Sequence, residues 1–171
     1  MSLKFIYLTL ITTLMNNINA QNLQSVPFVD LAKYAGKWFE IASFPQTFQK
    51  GCHNTTAEYT LTDKGYVIVE NKCNRDSLTG KPSSIKGKAF VVKNTGNAQL
   101  KVQFFWPFKG NYWIIDLADD YSYAVVSNPS KKYLWILSRT STLDSTIYEQ
   151  ILERLKQKGF DLSKIQKTKH S

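Results

Sequence analysis

The chain has 171 residues, 43% hydrophobic and 20% charged, which suits one globular domain with a sizeable core and excludes a disordered tail protein. Eight glycines and five prolines exclude a collagen-like or low-complexity design, and two cysteines exclude a disulfide-dense scaffold or a four-cysteine zinc site. The formal charge is +9, from 22 basic against 13 acidic residues, so the surface is basic, and His53 and His170 are the only imidazoles available for catalysis or metal binding.

The first twenty residues read as an export leader. Met1 to Lys4 carries one positive charge, Phe5 to Met15 is an apolar run, and Asn16 to Ala20 is polar and ends on a small residue. The run is shorter than the roughly 20 apolar residues a bilayer requires, and no later stretch is apolar enough to cross one. Cleavage after Ala20 is therefore predicted, leaving a single domain over 21–171. Loss of Lys4 leaves 21 basic against 13 acidic residues, a mature charge of +8. Residue 21 is Gln rather than Cys, so a lipoprotein anchor is not expected there.

Export brings Cys52 and Cys73 into an oxidising compartment, where a disulfide persists. They flank an expected hairpin turning at Asp63-Lys64-Gly65. Pairing centred on Lys64 leaves the two cysteines slightly out of register, and a small bulge is needed to bring them opposite each other. Closing such a loop stabilises by roughly 3 kcal/mol in the chain-entropy model. Two buried free thiols are the alternative.

From Lys37 to Arg139 the sequence alternates strand-like runs with turn signals. The runs are 37–44, 52–61, 65–73, 84–92, 98–105, 111–117, 121–128 and 132–139. Between them lie Asp63-Lys64-Gly65, Thr95-Gly96-Asn97, Lys109-Gly110-Asn111, Asp119-Asp120 and Asn128-Pro129-Ser130. Short connections force antiparallel neighbours. Eight such strands without interleaved helices imply an all-β up-and-down barrel or a sandwich, and an eight-stranded barrel leaves room for one small ligand. After Arg139 the period changes. Ile147, Ile151, Leu152 and Leu155 recur at helical spacing, which predicts a helix over 145–158 packed outside the strands. Thr146 with Glu149 can form a capping box, or Asp144 or Ser145 can cap, and Gly159 is a C′ stop. The exposed face is expected to hold Arg154, Lys156 and Lys158. A short extended tail around Leu162 to Ile165 follows.

Catalytic patterns are scarce. There is no nucleophile elbow, zinc-protease helix, phosphate loop or EF-hand loop. Asp116, Asp119 and Asp120 sit at a strand end and turn, where acids are normally solvated or bonded to local backbone. Lys101, Phe104, Phe105 and Trp106 loosely fit a surface that stacks single-stranded nucleic acid, but an exported protein rarely meets one, and no nucleic-acid partner is expected. Asn54-Thr55-Thr56 is a glycosylation acceptor in a eukaryotic secretory pathway.

Three segments carry a resemblance. Asp30 to Ala42 contains Gly36-Lys37-Trp38 after a short helical turn, Asp120-Tyr121-Ser122-Tyr123 sits at a turn between late strands, and Leu134 to Arg139 ends the last strand on an arginine. In this order the chain resembles the lipocalin family over about residues 25–165, most closely its bacterial lipocalin and apolipoprotein D branch. The resemblance implies an eight-stranded antiparallel cup with Trp38 plugging the closed end and Arg139 across its ring, so that Gly36, Trp38, Asp120, Tyr121 and Arg139 are structural.

Strand alternation then sorts lumen from surface. If Trp38 points inward, so do Glu40 and Ala42. On the last strand Tyr133, Trp135 and Leu137 share the face of Arg139. The same choice made strand by strand gives Ala57 and Tyr59, then Val69, Ala89, Val102 and Phe104, and finally Tyr112 and Ile114. Glu40 inside requires a partner, either a ligand headgroup or a closed-end polar network. The implied function is non-catalytic binding, transport or storage of a fatty acid or lysophospholipid in the cell envelope, periplasmic or secreted, with no cofactor. Peripheral contact with an anionic membrane would use the basic helix face, and oligomeric state is left open. Two other classes remain: an isomerase-like enzyme with a reactive thiol or acid in the lumen, and an interaction module whose barrel is filled with side chains.

Overall fold

The computed structural model describes residues 22–171; the leader expected at 1–20 and the mature start at Gln21 lie outside the described residues. After a segment whose Val26 and Val29 N–H groups donate to the carbonyls of Ile114 and Gly96 comes a one-turn helix, α1 (Leu31–Tyr34). Eight strands follow: β1 (Gly36–Ser43), β2 (Cys52–Leu61), β3 (Val67–Arg75), β4 (Pro82–Val91), β5 (Gln99–Phe105), β6 (Phe108–Leu117), β7 (Tyr123–Ser127) and β8 (Leu134–Ser138). The helix α2 (Ser145–Gln157) and a short strand β9 (Gln166–Lys167) complete the chain. Consecutive strands pair antiparallel from β2 to β8, β8 pairs with β1, and β1 pairs back onto β2, closing an eight-stranded barrel with β9 added beside β1.

Each expected run is a strand, and the differences have local causes. The β5–β6 hairpin turns at Trp106-Pro107, with Phe105 opposite Phe108, while Lys109-Gly110-Asn111, expected as the turn, lies within β6. Proline cannot donate to a ladder, so the chain turns there and the following glycine is carried into the strand. Asp144 caps α2, its carboxylate accepting from the backbone N–H groups of Thr146 and Ile147 at 2.9 and 3.1 Å, so the Thr146/Glu149 box is not needed. Gly159 ends the helix with φ +79°, a conformation glycine adopts without strain. The tail expected as extended over 162–165 is instead a 3₁₀ turn at Leu162–Lys164, and the extended part is β9 just beyond it.

Two apolar clusters lie on either side of the barrel wall. Inside are Trp38, Tyr34, Tyr59, Val69, Ala89, Ile114, Val126 and Leu137 among others. Outside, Ile115, Val125, Leu134 and Ile136 pack against Tyr148, Ile151 and Leu155 of α2. The alternation of Ile114 with Ile115 and of Ile136 with Leu137 is the period-two pattern of strands covered on both faces. Ala42, expected inside with Trp38 and Glu40, belongs to the outer cluster, because β1 bulges between Glu40 and Ala42 where it pairs with β8 and its faces exchange.

The two cysteines form a disulfide across β2 and β3, with Cα atoms 5.4 Å apart. The anticipated bulge exists between His53 and Thr56, but it places Cys52 opposite Arg75, so the bridge is diagonal rather than directly cross-strand. These are the chain's only cysteines, which removes a lumen thiol from consideration.

Candidate ligand-binding site

The closed end is built around Trp38, which is wholly buried. Its indole N–H donates to the Tyr34 carbonyl at 2.8 Å, and the Arg139 guanidinium lies 3.7 Å from its ring centroid. That guanidinium also donates to the carbonyls of Lys37, Lys33 and Tyr121 at 2.9, 2.5 and 3.3 Å, stitching α1, β1 and the β6–β7 turn together. Gly36 (φ +90°) lets β1 start beneath it. Asp120 accepts from the Ser122 backbone N–H at 2.9 Å; the Ser122 hydrogen bonds hold its carboxyl below the usual range. The Tyr121 hydroxyl accepts from the Asp30 N–H at 2.8 Å. Gly36, Trp38, Tyr121 and Arg139 therefore meet in one closure, and Asp120 shapes the adjoining turn.

Above this plug the barrel is hollow. A cavity of about 600 Å³ opens at the far end. Its walls include Ala57 and Tyr59 of β2, Val69 of β3, and Val102 and Phe104 of β5. Tyr112 of β6, with Tyr133, Trp135 and Leu137 on and beside β8, completes the predicted set that borders it. Ala89 and Ile114 also face inward but lie in the packed cluster below the cavity. Sequence reasoning missed Phe48 and Gln49, Phe105 and Phe108, and Lys109 at the mouth. Strand alternation could not reach them, since the first two sit in a loop and the others flank a turn.

Glu40 faces the cavity and is nearly buried. One carboxylate oxygen accepts from the hydroxyls of Ser43 and Thr168 at 2.9 and 2.6 Å, and the other accepts from the Gln49 amide at 2.9 Å. Gln49 in turn accepts from the Trp135 indole N–H at 3.2 Å. Glu40 therefore joins a polar network, but on the mouth side of the Trp38 plug rather than at the closed end where such a network was foreseen. It ties the loop after β1 and the C-terminal tail to the barrel wall. His170 reinforces the tail by bonding the Glu40 carbonyl at 2.7 Å, its ring edge-on to Phe39.

The remaining candidates separate. Asp116 accepts from Arg154 at 2.7 Å, and Arg154 also reaches the Tyr123 hydroxyl at 3.0 Å. Arg154 is therefore half-buried against the barrel rather than part of the exposed helix face. Phe104 faces the cavity, whereas Phe105 and Trp106 stand exposed at the rim. The Asn54 amide donates to the Leu78 carbonyl at 3.1 Å and its oxygen accepts from the Ser171 N–H at 2.8 Å; a glycan on that nitrogen would displace the Leu78 contact.

A barrel closed by an arginine over a tryptophan, with one apolar cavity open at the other end, is the architecture of a small-ligand lipocalin-type cup. The Lipocalin-like domain family model matches residues 29–170, and the chain belongs to the lipocalin family. It is 35% identical over 166 residues to the outer membrane lipoprotein Blc of Vibrio cholerae, covering 95% of this chain and 96% of that protein. It is 34% identical to apolipoprotein D of Macaca fascicularis, covering 80% and 74% of the two chains. The structure of insecticyanin from the tobacco hornworm Manduca sexta superposes with a TM-score of 0.71 at 23% identity, covering 88% and 85%, and so shares the fold.

Proposed function

We propose that this chain is an exported, non-catalytic carrier that holds one fatty acid or lysophospholipid in the barrel lumen and exchanges it at an anionic membrane surface. The observation that carries this reading is the aromatic and aliphatic cavity of about 600 Å³, within the range of small-molecule sites and unlike a barrel filled with side chains. Burying ten methylenes is worth roughly 8 kcal/mol, and ordering the ligand returns part of that, which leaves an affinity near micromolar or better. Export is supported by the leader-like residues 1–20 and by the name of the Vibrio cholerae relative, an outer membrane lipoprotein.

The membrane contact is better supported at the mouth than on the helix. Phe105, Trp106 and Phe108 are 69, 86 and 77% exposed, and Phe48 is exposed on the opposing loop. Lys109 and Lys50 stand beside them in the sequence, and both are exposed. Exposed aromatic side chains with lysines beside them in the sequence suit an anionic lipid interface, where each cation adds about 1 kcal/mol.

Intrinsic tryptophan fluorescence of the delipidated protein, titrated with a C16–C18 fatty acid and with lysophospholipid, tests the carrier reading. Saturable one-to-one quenching is expected, weakened in Phe104→Ala and Trp135→Ala. No response to either ligand in folded protein overturns it.

A further inference from the structure

At the floor of the cavity three tyrosine hydroxyls meet. Tyr112 Oη lies 2.7 Å from Tyr34 Oη and 2.7 Å from Tyr59 Oη. Each hydroxyl has one proton and can accept twice. Two contacts consume two protons, and three are present. Among the described residues, these hydroxyls make no other hydrogen bond, so one proton is without an acceptor.

Where that proton sits follows from burial. Tyr34 is beneath the cavity, packed between Trp38 and Tyr59 with ring centroids 5.0 and 5.4 Å away, and does not border the void. A proton left over on Tyr34 would be a buried unsatisfied donor, which is costly. Tyr59 and Tyr112 both border the cavity. The favoured arrangement has Tyr34 donating to Tyr112, with the unspent proton on Tyr112 or Tyr59 facing the void. Burial raises all three phenols, Tyr59 to about 12 and the other two well above their usual value, so the cluster is neutral at physiological pH.

The floor offers a hydrogen bond without a charge. Lys109, the cation among the described lining residues, is at the exposed mouth. Glu40 is occupied by Ser43, Thr168 and Gln49. Arg139 lies behind the Trp38 ring with its N–H groups on backbone carbonyls. A carboxylate carried to the floor would lose its hydration and gain no counter-ion. A ketone, aldehyde or ester oxygen loses little hydration and takes the free proton.

The geometry points to a donor subsite at the cavity floor, formed by Tyr59 and Tyr112 with Tyr34 behind them, that selects ligands whose buried end carries an uncharged oxygen acceptor. This inference rests on the lumen being the binding site. An anionic lipid then binds with its headgroup at the mouth and leaves the subsite unfilled.

The test compares three C12 probes by tryptophan fluorescence: 2-dodecanone, dodecane and dodecanoate. In the wild-type protein 2-dodecanone is expected to bind roughly 3–10-fold tighter than dodecane, the worth of one neutral hydrogen bond. In Tyr34→Phe/Tyr59→Phe/Tyr112→Phe that preference disappears while dodecane affinity is retained, which also reports that the cavity is intact. Tyr59→Phe alone keeps the preference, because two hydroxyls sharing one bond still leave Tyr112 a free proton. Equal binding of ketone and alkane by the wild type, or a preference surviving the triple substitution, overturns the subsite and leaves the carrier reading standing. A preference lost in Tyr59→Phe alone overturns the proton arrangement. Failure of all three probes to bind folded wild-type protein overturns the carrier reading and the subsite with it.

Discussion

At the closed end of the barrel Trp38 is completely buried, its indole N–H is bonded and a guanidinium covers its ring. At the open end Trp106 is 86% exposed, between Phe105 and Phe108, with Lys109 beside them. Both ends carry aromatic rings, yet only at the first does a cation cover them; Lys109 instead lies over Phe90, its ammonium 4.3 Å from that ring centroid. Arg139 donates to three backbone carbonyls and packs on the ring, whereas the rim aromatics cover little of the chain's own surface. The difference separates residues that hold the fold from residues available to something outside it. The largest predicted effect follows: Trp38→Ala costs about 3–5 kcal/mol in urea unfolding, as buried tryptophans do. Trp106→Ala, removing a larger exposed area, leaves the urea midpoint nearly unchanged. Comparable losses from the two substitutions would break the distinction.

The disulfide sharpens it, because Cys52 begins β2 next to the mouth loop and staples it to β3. With a sequence separation of 21, it stabilises the wild type by roughly 3 kcal/mol. Urea unfolding under oxidising and reducing conditions should differ by that amount in the wild type and coincide in Cys52→Ser/Cys73→Ser. A wild type indifferent to reductant would mean that the closed-end core alone sets stability.

The same division explains what was legible in the sequence. Period-two alternation and turn residues reveal strands and which residues share a face wherever the ladder is regular, and the resemblance sets which face is inward; Tyr59, Val69, Val102 and Leu137, expected in the lumen on that basis, border the cavity. Ala42 was misplaced because a bulge exchanges faces without any mark in the sequence. The closed end was legible as motifs, since Gly36, Trp38 and Arg139 keep fixed places in their strands. The mouth was not, because Phe48 and Gln49 reach the cavity from a loop, and the partners of Glu40 are scattered along the chain as Ser43, Gln49 and Thr168. The tyrosine cluster was half visible: alternation turned Tyr59 and Tyr112 inward, but nothing local shows that Tyr34 of α1 meets them.

Alkaline titration reads the floor between the two ends. Tyr59 is raised from 10.0 to about 12 by burial, and Tyr34 and Tyr112 are raised too. A folded state that holds these protons more tightly than the unfolded chain loses stability as pH rises above the unfolded value near 10. The full stabilisation is present below pH 10, and the loss continues through the folded value. For Tyr59 alone it is on the order of 2 kcal/mol by pH 12. Urea midpoints measured from pH 8 to 12 should therefore decline in the wild type and decline less steeply in the Tyr34→Phe/Tyr59→Phe/Tyr112→Phe protein, where burial still raises Tyr123 and Tyr148. A wild-type profile flat through pH 11 would mean that these phenols are hydrated in the native state and that the floor is wetter than its packing implies.

The smallest effect on stability should accompany a clear effect on surface binding. Trp106→Ser/Phe108→Ser removes two exposed rings and is expected to change unfolding free energy by no more than about 0.5 kcal/mol. Inserting even half of two such rings into a lipid interface is worth a few kcal/mol, so co-sedimentation with anionic vesicles should fall roughly tenfold or more. Lys109→Gln isolates the electrostatic part, since it should weaken binding to anionic vesicles and leave zwitterionic ones unaffected. Fatty-acid affinity in the absence of vesicles should be unchanged in Trp106→Ser alone, because Trp106 does not border the cavity, whereas Phe108 borders it at the mouth. If vesicle binding persists in the double variant while Lys156→Gln/Lys158→Gln abolishes it, the contact belongs to the helix face and the mouth opens away from the membrane.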